Sequence, residues 1–381
     1  MNGVGELSGR GKELSALKPI GMGPLAEQPL VSILVSNYNY GRYLSDAIES
    51  VLCQTYTHFE LIICDDGSTD SSRDILERYK SRDPRIRTIY AANGGQSSAL
   101  NAAFRKSAGE IICLLDADDT FMPDKVRLVV RAFVATPEAG FAVHSLSVVD
   151  KARKHLGEIP FLYDLPSGWQ GKFLSCDSPQ VLPGLPPTSG LSFRRSVAEA
   201  VFPFPTTLKA YSDTWVQVVT PLITPIVPIR TPLSEYRVHD ANIAGVTSFT
   251  ENKLRDIVFY QKEIWSAWRN YLLSSRSEVL THLPPSPESV PSLMDYAYAR
   301  FRSDDHFKAA NPRISPACLK YLPKHLQWYW RVSPFFPNWL FRRSFDFVYG
   351  QTPLKMVVRK IMKAWRKGLW SGHRKTRPCT Y

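Results

Sequence analysis

Two short segments of this chain concentrate carboxylates: Asp65-Asp66-Gly67-Ser68-Thr69-Asp70 and Asp116-Ala117-Asp118-Asp119. Each follows an apolar run, Phe59 to Cys64 and Glu110 to Leu115 respectively, so each has the form of a buried strand opening into a polar loop. Carboxylates gathered at the mouth of one crevice repel one another unless a cation or hydrogen-bond donors neutralise them. A hard divalent ion bound through oxygen does this and can in turn hold a diphosphate. A site with few fixed carboxylates, leaving positions for water or phosphate oxygens, suits Mg²⁺ or Mn²⁺. The expectation is that the two loops lie side by side and converge on one such ion and the pyrophosphate it clamps. For the first loop alone, a turn and helix N-cap is an equally good account, because Asp, Gly and Ser favour such places.

The elements that must position these loops repeat. Val31 to Ser36 is an apolar run that ends in Asn37-Tyr38-Asn39-Tyr40-Gly41, and a helical period follows through Leu44, Ala47, Ile48, Val51 and Leu52. Strand, polar loop and helix recur through 59–79, through Ile86 to Ser107 with the loop Asn93-Gly94-Gly95-Gln96, and through 110–123 onward. Such alternation requires a parallel sheet wrapped by helices, because parallel strands need crossover connections. In open sheets of this kind ligands bind beyond the carboxyl ends of the strands, where all these loops fall. The pattern loosens after Ala139 and is interrupted by proline after residue 250, which predicts a separate helical appendage.

Composition limits the class. The 381 residues are 44% hydrophobic and 22% charged, which fits a folded globular chain with room for a large domain and an appendage. Residues 321–381 hold 13 Lys and Arg against the single acid Asp346, which accounts for the whole formal charge of +12. The basic character therefore belongs to the tail. Six cysteines at 53, 64, 113, 176, 318 and 379 show no close pairing, and two of them lie in apolar runs, which argues against a disulfide framework. Neither a secretory signal nor an apolar span of bilayer length is present in the sequence, which leads to the expectation of a cytoplasmic location, peripheral on the inner face of the membrane.

The order and spacing of several motifs together resemble the family 2 glycosyltransferases, inverting enzymes of GT-A fold that use nucleotide-sugar donors. These motifs are Val31 to Asn39, Gln54-Thr55-Tyr56 before Phe59-Glu60-Leu61, the two acidic loops, Ala99-Leu100-Asn101, and Gly109-Glu110. The resemblance covers about residues 29 to 245 and implies a Rossmann-like α/β domain with a mostly parallel sheet flanked by helices. The expected organisation is a disordered leader over 1–28, a glycosyltransferase domain over 29–248, a helical appendage over 249–350, and a basic amphipathic helix and tail over 351–381.

Carried over residue by residue, the resemblance gives Asp66 to the donor's base, Tyr38 to stacking on that base, and Ser36 to the nucleoside. Asp118 and Asp116 hold the metal at the diphosphate. Asp213, in Ser212-Asp213-Thr214-Trp215, stands where the family carries its catalytic base, although Ser212 replaces the usual Glu. Arg237 and His239, in Tyr236-Arg237-Val238-His239, are candidates to reach the diphosphate and the metal. Thr188-Ser189-Gly190-Leu191 resembles an acceptor-side loop. The implied reaction is transfer of a sugar, from a donor taken to be UDP-linked, to a saccharide, lipid-linked or protein acceptor in cell-surface polysaccharide or glycolipid synthesis. Two competing readings stay open: a nucleotide-sugar-binding protein without turnover, and a sugar nucleotidyltransferase. The latter wants a Gly-rich basic phosphate loop after the first strand, and Ser36 to Gly41 has one Gly and no Lys.

Wound as a helix, 353–370 places Leu354, Val357, Val358, Ile361, Met362, Trp365 and Leu369 on one face and six Lys and Arg on the other. That arrangement suits an anionic membrane interface, and the upstream aromatics Trp328, Tyr329, Trp330, Phe335, Phe336 and Trp339 suit it as well. A helix packed on the enzyme with a solvated basic face remains the plainer account. Nucleic acid is disfavoured as a partner, since no binding module surrounds the charge.

Overall fold

The computed structural model describes residues 18–159, 165, 167–170, 185–239, 249–275, 293–302 and 324–349. Its first unit is built on a nine-stranded sheet of order β3-β2-β1-β4-β8-β6-β9-β5, with β7 paired to β6. The strands are β1 Val31–Asn37, β2 Phe59–Asp65, β3 Ile86–Tyr90, β4 Ile111–Asp116, β5 Thr120–Phe121, β6 Phe141–Val149, β7 His155–Ile159, β8 Leu191–Arg194 and β9 Ile226–Arg237. Pairings β1 to β2, β2 to β3, β1 to β4 and β6 to β9 are parallel. β8 runs antiparallel to both β4 and β6, and β5 and β7 are antiparallel to their neighbours. The expected α/β architecture with strands mostly in one direction is thus observed, and the antiparallel strands enter after the fourth strand.

Helices α1 Gly41–Leu52, α2 Ser72–Arg82, α3 Gln96–Lys106 and α4 Lys125–Ala135 fill the crossovers, followed by α5 Arg195–Val201 and α6 Ser212–Ile223. Because both faces are covered, the central strands are apolar throughout instead of alternating. Leu34, Ile62, Cys64, Ile112 and Leu114 point to the α3 side with Ala99, Leu100 and Ala103. Ile33, Val35, Leu61, Ile63, Cys113 and Leu115 point the other way, against Leu44, Ile48, Leu76 and Val129. The chain lays β2 and β3 on one side of β1 and then returns to place β4 on the other. That reversal opens a crevice between the carboxyl ends of β1 and β4, the place where doubly wound sheets bind ligands.

Two expected boundaries differ. The leader was expected to run to residue 28, but Ile20 donates its amide to the Ile223 carbonyl (2.7 Å), the Ala26 amide meets Glu110 (3.1 Å), and Met22 and Leu25 pack on the core. The appendage was expected from residue 249. The helix α7 Glu251–Ser275 instead gives Ile264, Trp268 and Leu272 to the core of the first unit.

The second unit contains residues 249–259 with α8 Leu293–Arg302, α9 Lys324–Val332 and α10 Asn338–Tyr349. Its core is aromatic: Tyr296, Phe301, Tyr329, Trp330, Phe341 and Phe345 surround Leu254 and Ala297. Buried Arg300 donates to the carbonyls of Pro334 (3.1 Å) and Phe336 (2.5 Å). Tyr329 and Trp330, expected at a membrane interface, are therefore core residues, whereas Trp328, Phe335 and Trp339 are exposed. The basic segment 353–370 lies outside the described residues. Among the described residues no helix is long and apolar enough to cross a membrane. Cys53, Cys64 and Cys113 are free thiols.

Candidate active site

The register places Ser36, near the end of β1, opposite Asp116 at the end of β4 on one side and Cys64 on the other, with Asn37 opposite Asp65. The two acidic loops therefore flank β1 and are not immediate neighbours. Two strand spacings, roughly 10 Å, separate them at the sheet edge. The expectation that both converge on one ion gives way to a division of labour.

In the first loop the carboxylates are occupied by donors. Asp65 Oδ1 accepts from Asn37 Nδ2 (2.7 Å) and Ser68 Oγ (2.6 Å), and its Oδ2 accepts from the Ser68 amide (3.2 Å). This is the local turn in which an Asp side chain binds the backbone just beyond it, and Gly67 at φ +77 completes it. Asp70 binds the amides that begin two helices, Gly41 (2.9 Å) and Ser72 (3.0 Å). Asp66 reaches across to the turn before α3, accepting from the amides of Gly94 (2.9 Å) and Gly95 (2.7 Å). Tyr38, 46% exposed just beyond β1, and the half-buried Ser36 lie along the same edge.

The second loop is a true concentration of charge. Asp116, Asp118 and Asp119 each present a carboxylate oxygen, and these atoms all lie within 4.8 Å of one another. Burial first, then the charges of Asp118 and Asp213, push the Asp116 carboxyl well above the usual range. Asp119 is pushed up likewise by burial and by Asp118 and Asp116. The phenols of Tyr40 and Tyr236 are raised by burial and by the same three acids, so both stay neutral and line the cluster. This donor set fits a hard divalent cation: several oxygens, close together, whose mutual repulsion a positive charge relieves.

Residues from several elements hold the trio. Gln96 Nε2 donates to Asp116 Oδ1 (3.0 Å), and the Asp116 amide donates to Ser189 Oγ (3.1 Å). Ser189, in the single 3-10 turn Thr188–Gly190, also donates to Asp119 Oδ2 (2.6 Å). The Arg237 amide donates to Asp119 Oδ1 (2.9 Å). His239 Nε2 lies 2.9 Å from Asp118 Oδ2, with its ring stacked on Tyr43 at 4.7 Å.

Arg237 was expected at the diphosphate. Its guanidinium ties down the loop: Nε donates to the Asp118 carbonyl (2.9 Å), one terminal nitrogen pairs with Asp46 (2.8 Å), and the group lies over the Tyr43 ring at 4.8 Å. Fixing the backbone of Asp118 is the contribution these contacts describe.

Asp213 sits in the first turn of α6, accepting from the Thr214 amide (2.8 Å), and burial raises its carboxyl above the usual range. Its charge acts on Asp116 and Tyr236, and Gln96, bonded to Asp116, also accepts from the amide of the adjacent Ser212, so Asp213 lies near the acidic trio. The structure thus gathers Asp116, Asp118, Asp213, Arg237 and His239 in one crevice, with Asp66 across β1.

Three contributors carried no assigned role in the sequence, Gln96, Tyr40 and Tyr236, while Ser189 was expected only in an acceptor-side loop and Asp119 only as a member of its acidic cluster. Gln96 and Ser189 stand in polar loops at the right edge of the sheet, which was the available signal, but their partners lie 20 and 70 or more residues away.

Residues 32–173 match the model of glycosyl transferase family 2. An uncharacterized glycosyltransferase of Nostoc sp. is 38% identical over 235 residues, 58% of this chain and 70% of that protein. A Bacillus subtilis glycosyltransferase named for teichuronic acid biosynthesis is 42% identical over 100 residues, 26% of this chain and 40% of that protein. A chondroitin synthase of Escherichia coli is 44% identical over 109 residues, 29% of this chain but 16% of that larger protein.

Proposed function

This chain belongs to glycosyltransferase family 2 and is a glycosyltransferase, and we propose that it transfers a sugar, with inversion, from a UDP-linked donor to an acceptor hydroxyl during synthesis of a polysaccharide or glycolipid. The observation that carries the reading is the acidic trio at the β1/β4 reversal, with the helix turn of Asp213 tied to Asp116 through Gln96. Names of relatives that act in teichuronic acid and chondroitin synthesis favour a saccharide acceptor.

In this mechanism Asp66 and Tyr38 take the base of the donor. Asp66 retains lone pairs beyond those bound to Gly94 and Gly95, and Tyr38 is exposed enough to stack. Asp118 and Asp116 would hold Mg²⁺ or Mn²⁺, with His239 against Asp118 orienting that carboxylate or joining the ligand set. When bound, the cation supplies positive charge at the diphosphate, where negative charge develops as the sugar bond breaks. Asp213 acts as general base. An alcohol is a poor nucleophile until its proton leaves, and a carboxylate with a raised pKa is better matched to accept that proton. Asp119, bound by Ser189 and the Arg237 amide, shapes the loop.

A thermal-shift screen of UDP-, GDP- and dTDP-sugars with and without Mn²⁺ tests the donor and the metal together. The expected result is stabilisation by UDP-sugars that depends on Mn²⁺. Equal shifts without the ion would remove the metal from the reading.

The sequence of 353–370, basic and apolar in alternation, supports a location on anionic lipid at the membrane surface, which would keep the enzyme near a lipid-linked acceptor. Vesicles containing phosphatidylglycerol should sediment the full chain but not a chain ending at residue 350. Equal sedimentation of the two would defeat this part.

A further inference from the structure

The turn that opens α3 bonds Asp66 and Asp116 and the residue before Asp213. The amides of Gly94 and Gly95 hold Asp66. The next residue, Gln96, donates Nε2 to Asp116 Oδ1 (3.0 Å) and turns its Oε1 to the Ser212 amide (3.4 Å), the residue before Asp213. Two further bonds reinforce this junction. The Gln96 amide donates to the Lys209 carbonyl (2.9 Å), and the fully buried hydroxyls of Ser97 and Ser212 lie 2.8 Å apart. The approach is close enough that a Cβ on Gly95, itself at φ +87, would stand 2.5 Å from the Lys209 Cα.

The segment held in this way is strained. Tyr211, immediately before α6, is in the left-handed region at φ 59 and ψ 31, which side chains other than Gly, Asn and Asp rarely adopt. A backbone of that kind persists only where its surroundings over-determine it, and the three bonds from residues 96 and 97 belong to those surroundings, together with the Tyr260 ring 5.2 Å from that of Tyr211.

We propose that Gln96 is a positioning residue: its one amide spans Asp116 and Ser212, fixes the left-handed Tyr211, and so sets the aim of Asp213 at the acidic trio. An amide suits the place because it offers a donor to the carboxylate and an acceptor to the backbone N–H at once. A Glu would set another negative charge against Asp116, and a Met would serve neither side. The catalytic part of the inference rests on Asp213 being the base, as read above.

The test uses the full chain. Amide hydrogen exchange is followed by mass spectrometry over 205–216, and turnover is followed as nucleoside diphosphate released from a panel of UDP-, GDP- and dTDP-linked hexoses. Gln96→Met keeps the length of the side chain and removes both polar atoms. Exchange over 209–214 should accelerate about three- to tenfold, with 61–66 unchanged, because opening of this segment would no longer break the bond from the Ser212 amide to Gln96 Oε1, while the Lys209 and Ser97 bonds remain. For the donor that turns over fastest, kcat should fall about tenfold or more while KM stays within about threefold, since misplacing a base costs the chemical step and not ground-state binding.

Adding Tyr211→Asn, which adopts the left-handed backbone at lower cost, should recover part of the lost kcat. Unchanged exchange over 209–214 in Gln96→Met overturns the proposal, and so does a raised KM with kcat intact, which would make Gln96 a donor-binding residue. If Gln96→Met unfolds, with fast exchange throughout, Ser97→Ala takes its place and must accelerate the same segment or the proposal falls. Asp213→Asn separates the two assignments. Normal turnover by that variant sinks the base, while exchange over 209–214 still decides whether the latch exists.

Discussion

The loops at 65–70 and 116–119 are alike as text and opposite as physics. Donors within hydrogen-bonding distance surround the acids of the first: Asn37, Ser68 and three backbone amides meet Asp65 and Asp66. The acids of the second lie within 4.8 Å of one another, and Asp116 and Asp119 are pushed toward the protonated state by burial and by mutual repulsion. A carboxylate bound by its own chain is a structural part and, at Asp66, a rigid acceptor. A carboxylate pressed against others carries a repulsion that a cation would relieve. The difference lies in where the neighbouring amides point.

The largest expected separation comes from removing one charge from each loop. Asp118→Asn should lower metal-dependent turnover about 10²-fold or more, the scale on which transition-state charge stabilisation is lost, with Tm unchanged or raised because repulsion falls. Asp65→Asn should do the reverse. It leaves the donors of Asn37 and Ser68 with a poorer acceptor, which costs about 1.5–3 kcal/mol of stability, while turnover per folded molecule is retained. Matched activity and melting measurements on both variants check this. Comparable losses of turnover in the two would erase the distinction between the loops.

A pH series sharpens the same contrast at intermediate size. The folded-state pKa values of Asp116 and Asp119 are raised, so the folded protein binds protons there more tightly than the unfolded chain. Their contribution to stability is complete below the unfolded carboxylate value and is lost as pH rises through the raised folded values. In EDTA, therefore, the wild-type Tm should decline relative to that of Asp119→Asn as pH increases through that window, and Mn²⁺ should reduce the decline. Parallel Tm curves for the two proteins in EDTA would mean that the repulsion is not felt.

Much of this was legible before any coordinates. The runs at 31–36, 59–64, 86–90 and 110–115 became β1 to β4 because strands buried on both faces must be apolar throughout, and their polar ends all met at one edge. What escaped were features fixed by the tertiary fold alone. The antiparallel β8 sits between β4 and β6 although it is only four residues long, and β9 carries Pro228 and Pro232 within its length, so neither displays a strong strand pattern. Gln96 meets Asp116, and Ser189 meets Asp119, across stretches whose closure no local spacing records. Arg237 looked like a phosphate ligand because guanidinium suits phosphate, yet Asp46 and the Asp118 carbonyl, both supplied by the fold, engage it first. The first acidic loop was drawn toward a metal for the same reason: sequence displays the acceptors and conceals the donors.

The finest discrimination uses two serines with hydrogen bonds of equal length. Ser68 Oγ and Ser189 Oγ each donate to a carboxylate at 2.6 Å, Asp65 and Asp119 respectively. Ser68 also accepts from Asn37 Nδ2 (3.1 Å) and the Asn39 amide (2.8 Å), so it ties the first loop to the end of β1. Ser68→Ala should therefore cost about 1 kcal/mol of stability at neutral pH and leave turnover unchanged. Ser189→Ala removes a donor that opposes the elevation of the Asp119 carboxyl, so that pKa should rise further. Its loss of stability should consequently grow with pH in EDTA and shrink when Mn²⁺ is added, which no purely structural hydrogen bond would do. Identical pH and Mn²⁺ dependence in the two alanine variants would show that the carboxylates they serve are in the same electrostatic state, and the contrast between the loops would fall with it.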